Sequence, residues 1–553
     1  MMGCLLLAAF LLRATGISFG LNHPDEHLII NHALAFGNGD LNPHMFYFPT
    51  LFLYLLFAVF GGFYAAGRIS GHFLNPDQFL QFFLQSPETF YILGRLVSVF
   101  FGVATVYVIY CLGREFRSRA VGVWSALFLA VNFLHVRDSH FATMDIALTF
   151  FMTLGVYYLI RYVNGQDPKA YWKAIIATGA ATAIKYNGFL ILLPAGIAYL
   201  FENRTQLSVI RVFRAAFLSA LLFIAVFFCL SPYVLLDFKV AQEFIQKLYE
   251  LNRGLKVGWF NHLWTLSDAL GWPLFFLAAA GLFLQYRRWE IKNTILFVFA
   301  LAYYVMITKA GQPFERYVLV LIPIVLLWAA DFIEMGIGYF ATAKQITWRR
   351  IMIGVLILIT ILPKMLYQEI LFLKKDTRTI AAEWIASNIH SGERLLLDDP
   401  GECPRLTPSP DQIRQQIARL NPADTHYSQK KKRLQARLDL SPYPAANYEL
   451  RYLSGSPDKA GFTTLMDAIP YSVEETKKLG ADYLITSQRS VSANLAFYKA
   501  LEPSLELCFT VDPRQDVREG MSPHGWTYLP IDHYLWNIAR PGPLLYVFKL
   551  KKS

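Results

Sequence analysis

The sequence predicts a mostly α-helical fold, a polytopic transmembrane bundle of about eleven spans with a small α/β domain after it. Three observations carry this. Of the 553 residues, 55% are hydrophobic and only 16% are charged. Apolar runs near the ~20 residues that cross roughly 30 Å of hydrocarbon recur from residue 90 to about 372. Beyond residue 373 the chain turns polar, with short strand-like runs in place of long apolar ones. The expected parts are a membrane domain at 1–373, with an outer first loop at 21–90, and a soluble domain at 374–553.

The first run, residues 2–20, lacks a basic flank and a small-residue cleavage site before Asn22, so it reads as an anchoring helix. The other spans are placed at 91–112, 120–134, 146–162, 172–184, 188–201, 215–231, 270–285, 294–308, 317–334 and 351–371. Those at 172–184 and 188–201 are short and almost continuous, which predicts a tight helical hairpin. Residues 48–69, "FPTLFLYLLFAVFGGFYAAGRI", are apolar enough to span, and counting them would invert every later loop.

Charge decides that choice. Without this span, 15 Lys and Arg fall in loops 113–119, 161–173, 202–214, 286–293 and 341–350, against 8 in 135–145, 185–187, 232–269 and 309–316. Basic residues collect on the cytoplasmic side, so the first set is cytoplasmic. Residues 48–69 are then expected to lie in the outer interface, where Phe and Tyr are at home. The first loop and everything after residue 372 face outward. The net charge of +11 needs no nucleic acid to explain it, because no basic-aromatic binding module is present.

In the tail, "RLLLD", "ADYLITS" and "PLLYVFKL" read as strands, and "TRTIAAEWIASNI" and "VEETKKLG" as helices. Helix-then-strand order suits an α/β domain. Residues 404–440 read as an inserted pair of solvated basic helices. Cys4, Cys111 and Cys229 lie in apolar segments as small hydrophobes. Cys403 and Cys508 pair only if the tail faces an oxidising compartment and the fold brings them within reach.

The polar residues expected on the outer face fall into a few short segments. "HPDEH" supplies His23, Asp25, Glu26 and His27, and "HVRDSHFATMD" supplies His135, Arg137, Asp138, His140 and Asp145. "IKYN" puts Lys185 and Tyr186 at the hairpin tip, and "FERY" puts Arg316 and Tyr317 at a later outer end. Arg13 and Arg95 lie within a turn or two of the same surface. Carboxylates beside several cations at one membrane face suit a substrate that carries phosphate and a hydroxyl that reacts. Plainer readings stand beside this one. Arg13 and Arg95 also suit snorkelling to headgroups, Lys185 a helix-end charge, and Asp138 and Asp145 helix caps. No cofactor is demanded, and a divalent metal held by His23, His27, His135 and His140 with the acids stays open as an alternative. Adjacent Asp25 and Glu26 have no structural task at a span end that Ser or Asn would not fill, so function is placed there.

The order "HPDEH", "LNPHMFYFPTLFLYLL", "LGRLVSVFFGVATVYVIYCLGREF", "HVRDSHFATMD", "ATAIKYNG" resembles the C-type membrane glycosyltransferases. Within them it is similar to the protein O-mannosyltransferase and aminoarabinose transferase superfamily, over residues 1 to about 335. The tail opening "DTRTIAAEWIASNIHSGERLLLD" resembles bacterial members. The resemblance implies a sugar donor on a polyprenyl phosphate, an acidic base in the first outer loop and interfacial helices matching 48–69. One departure concerns metal: relatives that bind one place a Glu before the first-loop Pro-Pro element, whereas Phe48 here precedes Pro49 and Thr50.

The resulting expectation is an inverting glycosyltransferase of the bacterial inner membrane, with its tail extracytoplasmic. Its partners are a polyprenyl-phosphate sugar, membrane lipid and a protein, glycolipid or polysaccharide acceptor. Asp25 is the expected base and Glu26 its orienting neighbour. Arg95, Lys185 and Arg316, with Tyr186 and Tyr317, hold the donor phosphate. His23, His27, Arg137, Asp138, His140 and Asp145 support the acceptor or those groups. The rival functions are a transporter or lipid flippase, and a non-catalytic subunit of a glycosylation complex. Against transport, the acids sit at helix mouths rather than mid-span and no inverted repeat is visible.

Overall fold

In a computed structural model, the described residues are 2–20, 23–165, 167–206, 208–253, 258–287, 290–310, 314–340, 343–398, 401–422, 427–453, 468–514 and 533–551. They group into two compact units. Met1–Ile17, His32–Val59 and Leu93–Glu369 form the first, and Ser18–Asn31, Phe60–Ile92 and Ile370–Ser553 the second. The second unit thus takes parts of the first loop as well as the tail.

Among the described residues, seven helices are long and apolar enough to cross a membrane: Leu51–Ile69, Pro87–Phe116, Met144–Val163, Val209–Leu230, Ile291–Thr308, Glu315–Tyr339 and Gln345–Asn388. Two bent pairs raise the number to nine, Arg119–Ala130 with Phe133–Ser139 at 58° and Trp259–Leu270 with Trp272–Arg287 at 117°. The expected spans at 2–20, 172–184 and 188–201 are the short helices Met2–Ala14, Ala170–Ile184 and Leu192–Glu202. At 1.5 Å per residue, 13 residues reach only about 20 Å. Leu51–Ile69 shares the length and composition of the other long helices.

Within the first unit, Met144–Val163 packs on Ala170–Ile184, which also packs on Val209–Leu230. Trp272–Arg287 packs on Ile322–Phe340, which also packs on Arg119–Ala130. The predicted hairpin forms, and Gly188 is what permits it. A Cβ at this position would lie 2.3 Å from the backbone of Ala181 and Thr182, so no larger residue fits. Val209–Leu230 turns Val209, Ile210, Phe213, Phe217 and Leu221 outward, each more than half exposed. A contiguous apolar face of this kind suits lipid.

In the second unit the described residues of the tail form a six-stranded sheet in the order β3-β2-β1-β4-β6-β5. The three expected strands are β1 (Arg394–Asp398), β4 (Tyr483–Ser487) and β6 (Leu545–Leu550). The structure adds β2 (Glu449–Leu453), β3 (Ala468–Ile469) and β5 (Leu505–Val511). β1, β2, β3 and β4 are parallel, while β6 runs antiparallel to both β4 and β5. The expected helices are Thr377–Asn388 and Val473–Leu479. At the carboxyl ends of β1 and β4, Asp398 is fully buried. It accepts from Tyr471 at 2.5 Å, Thr486 at 3.1 Å and the Tyr498 hydroxyl.

One reading of the tail needs correction. The basic helices form at Pro410–Ala418 and Tyr427–Leu438, but the second is not simply solvated. It packs against both Pro76–Gln85 and Pro410–Ala418, Leu434 is buried, Arg433 and Arg437 are half-buried, and Lys432 pairs with Asp77 at 3.1 Å. The disulfide that stood open between Cys403 and Cys508 does not form: Cys403 is buried and donates to the Asp398 carbonyl at 2.7 Å, while Cys508 is exposed on β5.

Candidate active site

His23, Asp25, Glu26 and His27 belong to the second unit. Asp25 and Glu26 occupy the first turn of helix Pro24–Ala35, where the helix dipole favours acids. That is a structural task the sequence reading did not credit. The two differ in access: Glu26 is fully buried and Asp25 half-buried. The Asp25 amide donates to His23 Nδ1 at 3.2 Å, turning the buried His23 ring onto the helix start. Asn31, one turn on, lies 3.0 Å from His27 Nδ1, and Tyr91 Oη lies 3.4 Å from the same nitrogen. Arg405 donates to Tyr91 Oη at 2.9 Å.

Arg13, Arg95, His135, Arg137, Asp138, His140, Asp145, Lys185, Tyr186, Arg316 and Tyr317 belong to the first unit. Asp145, at the start of Met144–Val163, lies between two cations: Lys185 Nζ is 2.8 Å from Oδ1, and Arg316 Nε is 3.9 Å from Oδ2. Lys185 Nζ also sits 5.2 Å from the centre of the Tyr317 ring, a cation–π contact. Tyr186 donates to the Phe46 carbonyl at 3.1 Å. Arg137, fully buried, takes Asp138 at 3.0 Å and Glu315 as carboxylate partners.

Three residues serve purposes the sequence did not suggest. Arg13 is wholly buried and bonds the Leu129 and Ala130 carbonyls at 3.0 Å, closing the end of Arg119–Ala130 rather than snorkelling. The same guanidinium lies 3.0 Å from His135 Nδ1. Arg95 is also fully buried, donating to the Ile17 carbonyl at 2.7 Å, so it does not reach for headgroups either. His140 turns both ring nitrogens to carbonyl oxygens, of Val136 at 2.9 Å and Thr15 at 2.8 Å, with Glu369 at 3.5 Å.

One cluster in the first unit escaped the sequence reading. His44 lies 2.8 Å from Asp40 and 3.7 Å from Asp237, and Asn42 donates to Asp237 at 2.7 Å. The spacing of Asp40 and His44, four residues apart, was a legible signal, whereas Asp237 lies far along the chain. Among the described residues no group of three or more His, Cys, Asp and Glu side chains is placed to hold a metal ion.

Residues 78–239 match the family model described as dolichyl-phosphate-mannose-protein mannosyltransferase. A curated protein from Aquifex aeolicus (strain VF5), described as uncharacterized, is 26% identical over 147 residues, 24% of this chain. The match spans 29% of that relative's length. Among solved structures, ArnT from Cupriavidus metallidurans bound to undecaprenyl phosphate has a TM-score of 0.53 at 14% identity, covering 99% of this chain and 97% of its own. The oligosaccharyltransferase of Archaeoglobus fulgidus in its apo form has a TM-score of 0.51 at 14% identity, covering 93% of this chain and 73% of its own. At such identity the structural likeness is one of fold. The chain shares the fold of these two solved structures, and its residues 78–239 are similar to the mannosyltransferase family model. It is a multi-pass integral membrane protein.

Proposed function

We propose that this chain is an inverting glycosyltransferase that moves a sugar from a polyprenyl phosphate to a hydroxyl of a protein or glycan acceptor at the extracytoplasmic face. The observation that supports it most is the ArnT-like fold over 99% of the chain, that neighbour having been solved with undecaprenyl phosphate. In this reading the acceptor oxygen attacks the anomeric carbon as the carbon–oxygen bond to phosphate breaks. The bonding pair leaves with the polyprenyl phosphate, and the hydroxyl proton passes to the Asp25 carboxylate.

Half-buried Asp25 is accessible enough to take a proton, and buried Glu26 beside it acts by orientation. The leaving phosphate needs charge rather than a proton. Lys185 and Arg316, the two cations beside Asp145, supply it. Arg95, Tyr186 and Tyr317 stand with them on the donor side, and His23, His27, Arg137, Asp138 and His140 in support. A single displacement with one base inverts the anomeric centre, as in inverting glycosidases. Residues 48–69 lie along the outer interface and the tail faces the same side.

The test is transfer by purified protein from a panel of polyprenyl-phosphate sugars, with the product anomer read by NMR. Transfer with inversion, lost in Asp25→Asn, is the expected result. A retained anomer, or full activity in both Asp25→Asn and Glu26→Gln, removes the assignment.

A further inference from the structure

The second unit holds a group of cations that the roles above do not use. Arg433 and Arg437 sit four residues apart on helix Tyr427–Leu438, hence on one face. Like charges at that spacing weaken a helix, so the helix itself gains nothing from them. A solvated basic face would hold both guanidiniums in water, as it holds exposed Lys431 and Lys432. Both arginines are instead half-buried. Among the described residues neither has a hydrogen bond or an ion pair, and Arg405 has only the Tyr91 phenol.

The three are near neighbours. Burial first, and then Arg437 and Arg405, lower the Arg433 guanidinium to about 10, and Tyr91 opposes them. Burial also lowers Arg437, with the Tyr443 and Tyr452 phenols opposing it. Three cations gathered with tyrosines, and with no carboxylate among the described residues, are costly to assemble unless an anion completes them.

We propose that Arg405, Arg433 and Arg437, around Tyr91, form a binding site for a phosphate group. Guanidinium forks match phosphate oxygens two at a time, which lysine does not do. Tyr91 links the site to the acidic turn, since its hydroxyl touches both Arg405 and His27, two residues after Asp25. Taken with the transferase reading, on which this step alone rests, the phosphate belongs to a substrate engaged beside the base. It is carried either on a lipid headgroup or on a soluble or glycan molecule.

The experiment measures binding to the full-length protein in neutral detergent by thermophoresis. The probes are inorganic phosphate and phosphatidic acid in mixed micelles, with chloride at equal ionic strength as control. Wild type should bind, R433Q/R437Q should bind about tenfold more weakly or worse, and R433K/R437K should fall between them. K477Q/K478Q, which removes two exposed lysines of Val473–Leu479, should bind as wild type. Binding of both probes assigns the site to the phosphate group itself, and binding of phosphatidic acid alone assigns it to a headgroup. No binding by wild type, undiminished binding by R433Q/R437Q, or equal loss in K477Q/K478Q overturns the site. Should R433Q/R437Q not fold, the wild-type melting point decides, and no rise in phosphate over chloride overturns it equally. Asp25→Asn should bind phosphate normally, which separates this site's failure from that of the transferase reading.

Discussion

Asp145 Oδ1 holds the Lys185 ammonium at 2.8 Å, joining the start of one helix to the tip of the hairpin that follows it. Breaking the pair should show two separable effects. Asp145→Asn should destabilise the protein by less than the ~3–5 kcal/mol of a fully buried pair, because Lys185 keeps 25% of its side chain exposed. Lys185→Ala should lower kcat about 10²-fold and raise KM, since a cation on the leaving phosphate serves both binding and reaction. Thermal unfolding and donor titrations check the two. Unchanged kinetics in Lys185→Ala would make the pair structural only.

Asp25→Asn keeps size and hydrogen-bonding capacity but accepts no proton at neutral pH. Turnover should fall by about 10²- to 10⁴-fold while the donor still binds. Glu26→Gln should hurt less. If Glu26→Gln is the crippled variant and Asp25→Asn is near normal, the buried carboxylate is the base.

The basic loops give a topology prediction. In a chain stripped of its five cysteines, a single cysteine at exposed Arg119 should label only from the cytoplasmic side. Cysteines at Leu41 and His72, flanking Leu51–Ile69, should label from one side, the outer one. Labelling of these two from opposite sides would mean that the helix crosses.

The buried Asp398 network should matter to stability and not to transfer. Tyr498→Phe removes one donor from Asp398 while Tyr471 and Thr486 remain. The cost should be about 1–3 kcal/mol, seen as a lower melting point or faster proteolysis of the tail. An unchanged melting point would show that the network does not hold the tail together.

Some of this protein was written in local composition. A backbone in hydrocarbon must satisfy its own hydrogen bonds, so long apolar runs become helices whatever surrounds them, and their rough positions could be read directly. β1, β4 and β6 were legible as short apolar runs, and β4 and β6 also carry the aromatic and β-branched residues that suit a sheet. β5 was not, because "LELCFTV" leaves charged and apolar residues exposed together and its place depends on pairing with β6. The acids and cations of the candidate site could be picked out, but not their partners. Arg13 meets the carbonyls of Leu129 and Ala130, and Arg137 meets Glu315, across more than 100 residues of chain. A buried charge takes whichever partner the packing brings within about 3 Å, and no sequence spacing encodes that distance. Tertiary structure alone decided that Glu26 is buried and Asp25 reachable, and that Arg433 and Arg437 are half-buried rather than solvated.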